Sequence, residues 1–149
     1  MKYKSIIESV KEYITLCPHI EDLMLLESLD NVAFWTIEEG PNHKTNLSQN
    51  YIDGDCMRVF RFSFTASFSH LQEVKTAIEY SGFYEQFQEW VEKNNHDDIL
   101  PILRNGLSPI SIEILTTGYF IYPKQSEDKM KYQIQLQLLY EKENEVWIA

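Results

Sequence analysis

CMRVFRFSFTASF, residues 56–68, is the stretch on which the fold turns. Cys56, Arg58, Phe60, Phe62, Phe64, Ala66 and Phe68 share one parity; Met57, Val59, Arg61, Ser63, Thr65 and Ser67 share the other. Successive side chains of a strand point to opposite faces, so this alternation predicts one long strand with one buried face. A fully buried phenylalanine gains roughly 1.5–3 kcal/mol of transfer free energy. The Phe60–Phe62–Phe64 row is therefore expected to anchor the core.

Asp53-Gly54-Asp55, just upstream, admits two readings. Asp-Gly is a strong turn signal, suited to launching the strand. Paired carboxylates also suggest a small-molecule or metal-binding module. A calcium loop, however, needs further oxygen ligands at set spacings and a closing glutamate. Cys56, Met57, Arg58 and Val59 do not supply them. General acid–base chemistry wants carboxylates in contrasting environments, and these two flank one turn. The turn reading is the better supported, although it gives Asp55 no role.

Outward from the strand, Ile6, Ile7, Val10, Tyr13 and Ile14 recur at helical spacing, with Lys4, Glu8, Lys11 and Glu12 on the other side. Cys17-Pro18 ends this helix, because a residue before proline is pushed out of helical geometry. HIEDLMLLESLD (19–30) suits a second short helix, and AFWTIEE (33–39) suits a strand broken by Gly40-Pro41-Asn42. NHKTNLSQN (42–50) reads as a polar loop or hairpin tip. Ser69 and Gln72 have capping-box spacing, and Leu71, Val74 and Ile78 follow as an apolar stripe. Ser81-Gly82 is expected to interrupt that helix. Phe83, Phe87, Trp90 and Val91 form a second stripe, with Glu85, Glu89, Glu92 and Lys93 off it and Asn94-Asn95 at its end.

The last third returns to strand. PISIEILTTGYFI (109–121) carries Ile110, Ile112 and Ile114 on one parity. In KYQIQLQLLY (131–140), Tyr132, Ile134, Leu136, Leu138 and Tyr140 face one way and Gln133, Gln135 and Gln137 the other. The order predicts an α+β domain spanning 1–149: a mostly antiparallel sheet of about four strands, with helices packed on one face. The glutamine row falls on the uncovered face. The sequence holds no internal repeat.

The chain has 149 residues, 44% of them hydrophobic, with Phe 8, Tyr 9 and Trp 3, enough for one aromatic-rich core. Cys17 and Cys56 make no disulfide framework, and the amphipathic start MKYKSIIESVKEYI does not resemble a secretory signal. A cytosolic protein with reduced cysteines is expected. No apolar run approaches the roughly 18 residues of a membrane span. The net charge of −10 repels phosphate backbones, so sequence-specific nucleic-acid binding is not expected.

Catalytic signatures are missing from the sequence. His19, His43, His70 and His96 lack metal-ligand spacing, and there is no Cys-x-x-Cys, Gly-x-Ser-x-Gly elbow, phosphate loop or dinucleotide fingerprint. Asp97-Asp98 reads as a pair of solvated loop charges. No catalytic residue, metal or cofactor is expected, and the chain reads as a non-enzyme. The glutamine row is either a solvated sheet face or a face that packs on another subunit or lines a channel. Its uncharged side chains lean towards contact. Trp147, beyond the last clear strand, either closes the core or reaches a partner.

Several stretches in order resemble a known family. YIDGDCMRVFRFSF, SGFYEQFQEWVE, LPIL with SPISIEILTTGYFI, and KYQIQLQLLY are similar to small prophage proteins of low-GC Gram-positive bacteria, labelled minor capsid protein and tail terminator. The resemblance covers most of residues 1–140. It implies a structural role in virion assembly at the head–tail joint, in the virion and, during assembly, in the host cytoplasm. A tail terminator caps the tail tube as a ring, commonly six-fold, and stops its polymerisation. Its partners would be further copies of itself, the tail tube protein and the head–tail connector proteins. DNA would pass through the ring without sequence-specific binding. The family implies no catalytic residues.

The chain departs from the family at GPNHKTNLSQN (40–50) and after residue 141. With the uncharged glutamine row, these departures give the candidate subunit or partner contacts: Gln133, Gln135, Gln137, His43, Lys44, Asn46 and Trp147. A head-completion, neck or minor capsid role is the alternative within the same class.

Overall fold

A computed structural model of the chain describes residues 4–23, 34–40, 47–50, 56–69, 73–121 and 129–143. In chain order the elements are α1 (Ile6–Thr15), β1 (Phe34–Glu39), β2 (Leu47–Asn50), β3 (Cys56–Ser69), α2 (Glu73–His96), β4 (Leu107–Ile114), β5 (Tyr119–Ile121) and β6 (Lys129–Lys142). Every strand pairing is antiparallel. The six strands occupy four lanes, because β1 and β2 both line β3 while β4 and β5 both line β6. This is the expected α+β class.

β3 and β6 form the centre. Their register sets Phe60 opposite Leu138, Phe62 opposite Leu136 and Phe64 opposite Ile134. Both rows therefore share one face, and all six side chains are buried. A slip of one residue would carry the whole Phe row to the opposite face, so burial itself holds the register.

The helices cover this face. Ser5 caps α1 by accepting from the Glu8 N–H at 3.2 Å, satisfying one free helix donor. Val10, Tyr13 and Ile14 of α1 are buried, as their spacing predicts. α2 buries Tyr80, Phe83, Tyr84, Phe87 and Val91. Phe64 stands under it, with ring centroids 5.9 Å from Phe83, 5.2 Å from Tyr84 and 5.0 Å from Phe87. The Tyr84 hydroxyl donates to the Phe64 carbonyl at 3.2 Å. Tyr13 meets Trp90 at 4.8 Å, and Asn94 Nδ2 donates to the Tyr13 hydroxyl at 3.3 Å, which joins the two helices.

Four details differ from the sequence reading. Ser81-Gly82 does not interrupt α2, which runs unbroken for 24 residues. An interior helical glycine costs about 1 kcal/mol relative to alanine, less than the burial of the flanking aromatics returns. Ile78 is 68% exposed, because Tyr80 rather than Ile78 is in helical phase with Phe83, Tyr84 and Phe87. The 109–121 stretch is two strands, split at 115–118. A register shift between Pro109 and Ser111 leaves Ile110 exposed while Ile112 stays buried. Part of the supposed loop at 42–50 is the strand β2. The Ser69–Gln72 capping box involves residues 70–72 and lies outside the described residues.

The topology repeats itself. In each half a helix leads to a strand pairing with the C-terminal part of the long strand, then to a short strand pairing with its N-terminal part. β1 pairs with residues 62–67 of β3 and β2 with 56–58. β4 pairs with residues 136–142 of β6 and β5 with 131–133. The halves are thus related by a pseudo-two-fold axis between β3 and β6, although no sequence repeat marks them.

Candidate functional site

The face away from the helices carries the glutamine row. β6 places Gln133 opposite Thr65 and Tyr119, and Gln137 opposite Arg61 and Glu113; Gln135 faces Ser63. All three glutamines are half-buried by these neighbours. The Tyr119 hydroxyl donates to Gln133 Oε1 at 3.1 Å and accepts from Gln135 Nε2 at 2.9 Å. Gln137 Nε2 donates to Glu113 Oε2 at 2.7 Å. A glutamine amide has two N–H donors and an oxygen with two lone pairs, so these bonds orient the row and leave further capacity on each amide.

Ser63, Thr65 and Ser67 lie beside the row and are buried although no described element packs on this face. Thr65 is 3% exposed and its Oγ1 has no hydrogen-bond partner among the described residues. A buried hydroxyl without a partner costs about 1–3 kcal/mol.

Charge is divided unevenly between the two layers. Exposed acids crowd the helices: Glu8 and Glu12 on α1, and Glu79, Glu85, Glu89 and Glu92 on α2. On the open sheet face Glu38, Glu113 and Glu141 are set against Arg61 and Lys131. Among the described residues, the charges of the glutamine face therefore nearly cancel. A near-neutral polar face with satisfied amides costs less to desolvate than a charged one.

Among the described residues no group of three or more His, Cys, Asp or Glu side chains is placed to hold a metal ion, and no helix is long and apolar enough to cross a membrane. Cys17 is a buried free thiol, and burial pushes its pKa up, away from the reactive thiolate. Asp97 and Asp98 are exposed at the end of α2. Asp98 adopts a left-handed φ of 57°, and the Ile99 N–H returns to the Asn94 carbonyl at 2.8 Å, so this pair terminates the helix.

Of the sequence-derived contact candidates, the structure gathers Gln133, Gln135 and Gln137. His43, Lys44, Asn46 and Trp147 lie outside the described residues, as do Asp53 and Asp55. The strands flanking residues 51–55 do pair antiparallel, with Asn50 opposite Cys56, which is the arrangement a turn there requires. Tyr119, Glu113 and Thr65 belong to the site without having been singled out. Tyr119 sits in a strand of three residues, and only the β5–β6 register brings it to the glutamines.

The chain matches no family model, no curated protein and no solved structure.

Proposed function

We propose that this chain is a structural protein of phage assembly, a tail terminator that closes the finished tail tube as a ring at the head–tail joint. The observation that carries the reading is the hydrogen-bonded glutamine face, on which the described charges nearly cancel. The ordered resemblance of residues 51–64, 81–92 and 131–140 to prophage tail terminators supports it from the sequence side.

In this reading the glutamine face supplies contacts between copies or to the tail tube. Head-to-tail contacts between identical subunits close into rings when the rotation is right. Oriented amides give such contacts directional hydrogen bonds without the cost of burying unpaired charges. The net charge of −10 keeps passing DNA from adhering to the ring.

Deleting the gene from an inducible prophage tests the reading. Overlong or headless tails in electron micrographs are expected. Tails of normal length with full infectivity would refute it, and normal tails beside heads that leak DNA would replace it with a head-completion role. Replacing Gln133, Gln135 and Gln137 together with lysine should reproduce the deletion while leaving the monomer folded by circular dichroism.

A further inference from the structure

The glutamine row holds its donors and acceptors in a fixed order. The Glu113 carboxylate only accepts, so Gln137 turns Nε2 to it at 2.7 Å and keeps Oε1 free. The Tyr119 hydroxyl has one proton, and it goes to Gln133 Oε1 at 3.1 Å, which leaves Gln133 both N–H groups of Nε2. The same hydroxyl oxygen accepts from Gln135 Nε2 at 2.9 Å. Gln133 Nε2 and Gln137 Oε1 are not buried, and neither has a hydrogen-bond partner among the described residues. The row therefore has a donor end at Gln133 and an acceptor end at Gln137, on one face of one strand.

We infer that this row is a two-fold contact between two copies of the chain, in which Gln133 Nε2 of each protomer donates to Gln137 Oε1 of the other. Amide polarity selects the arrangement. Two rows laid antiparallel about Gln135 bring donor to acceptor at both ends, whereas parallel rows set Gln133 against Gln133, donor to donor. A patch that complements itself gives a closed, isologous pair. Stacked sheets lie about 10 Å apart, a gap that two facing glutamines span end to end. Charge selects the occupant. Each copy carries a net charge of −10, and on α1 and α2 exposed glutamates outnumber the exposed lysines, Lys11 and Lys93. A second copy is repelled by that layer. On the sheet face Arg61 and Lys131 offset Glu38, Glu113 and Glu141, so two like-charged copies meet there with least repulsion. A basic partner would be drawn to the helices instead. Tyr119 is the positioning residue, since its single proton sets which end of Gln133 faces outward. The inference rests on the reading of this face as a contact between copies, and not on the phage role.

Sedimentation of the intact protein at concentrations up to about 1 mM tests it, and a monomer–dimer equilibrium is expected. Gln133→Glu keeps an acceptor for Tyr119 but sets a second acceptor against Gln137 Oε1, and should weaken the dimer by about tenfold or more. Tyr119→Phe frees both amides to rotate and should weaken it severalfold. Adding Gln137→Lys to Gln133→Glu places opposite charges across the two-fold and should restore the dimer. The two positions lie about 13 Å apart along the strand, too far to pair within one copy. A monomer throughout overturns the inference, as does an unchanged dimer in Gln133→Glu or no recovery in the double variant. Circular dichroism of each variant separates loss of contact from loss of fold. A monomeric protein whose deletion still gives overlong tails overturns the two-fold pair and leaves the assembly role standing. A dimer whose deletion leaves tails normal does the reverse.

Discussion

The side chain of Asn95 completes the backbone of Ile112. It donates to the carbonyl at 2.5 Å and accepts from the N–H at 2.9 Å, so the last turn of α2 is tied to the outer strand of the sheet. Ile112 is 1% exposed, and water cannot readily replace these bonds. Asn95→Ala should therefore lower stability by about 1–3 kcal/mol. Asn95→Asp keeps the acceptor for the Ile112 N–H and loses the donor, so it should fall short of full stability too. Urea unfolding measures both, and an alanine variant within about 0.5 kcal/mol of wild type would show the tie to be dispensable.

Phe64 is the hub of the aromatic core. Its ring meets Trp35 at 5.6 Å as well as Phe83, Tyr84 and Phe87 of α2. Phe64→Ala should cost about 3–5 kcal/mol, through lost transfer free energy and the cavity left behind. Ile78→Ala, on the exposed side of α2, should stay within about 0.5 kcal/mol of wild type. Equal losses from the two changes would contradict the assigned helix phase.

Gly118 is required by its neighbour. A Cβ there would meet Cε1 of Tyr132 at 2.2 Å and its hydroxyl at 2.7 Å. The Tyr132 ring cannot simply swing aside, because Tyr84 stacks on it at 5.1 Å and Phe120 meets it edge-on at 4.6 Å. Gly118→Ala should destabilise by about 1–3 kcal/mol, and combining it with Tyr132→Leu should cost less than the sum of the two changes. Strict additivity in denaturant melts would rule out the clash.

Burial of Tyr13 pushes its pKa from 10.0 up to about 12, against a smaller opposing effect of the Asn94 hydrogen bond. The folded state thus holds the phenolic proton more tightly than the unfolded chain. Its contribution to stability is fully present below pH 10 and is lost as pH rises towards about 12. Tyr13→Phe should flatten that part of the stability profile. The check is the difference in urea midpoint between wild type and variant across the window; parallel curves would remove Tyr13 from the alkaline transition.

How much of this was legible in the sequence depends on the period of each pattern. Alternation in 56–68 and 131–140 gave the two central strands and their buried faces, because a strand has only two sides and the core takes the apolar one. The α1 stripe was legible for the analogous helical reason. Ile78 and the supposed break at Ser81-Gly82 were misread because two plausible apolar phases overlap there, and packing under Tyr80 and Tyr84 selects one. Ile110 was misread because a register shift changes parity without leaving a mark in composition.

By itself, the amino-acid sequence determined the buried faces of the two central strands and of α1, and that no familiar catalytic motif is written into the chain; those depend on local periodicity and residue chemistry. The tertiary structure alone decided that Asn95 closes the β4 edge, that Tyr119 bridges Gln133 and Gln135, and that the two halves share one topology. Such relationships join residues distant in the chain through strand register and helix docking. A one-dimensional pattern carries no signal for them until the core has fixed the register.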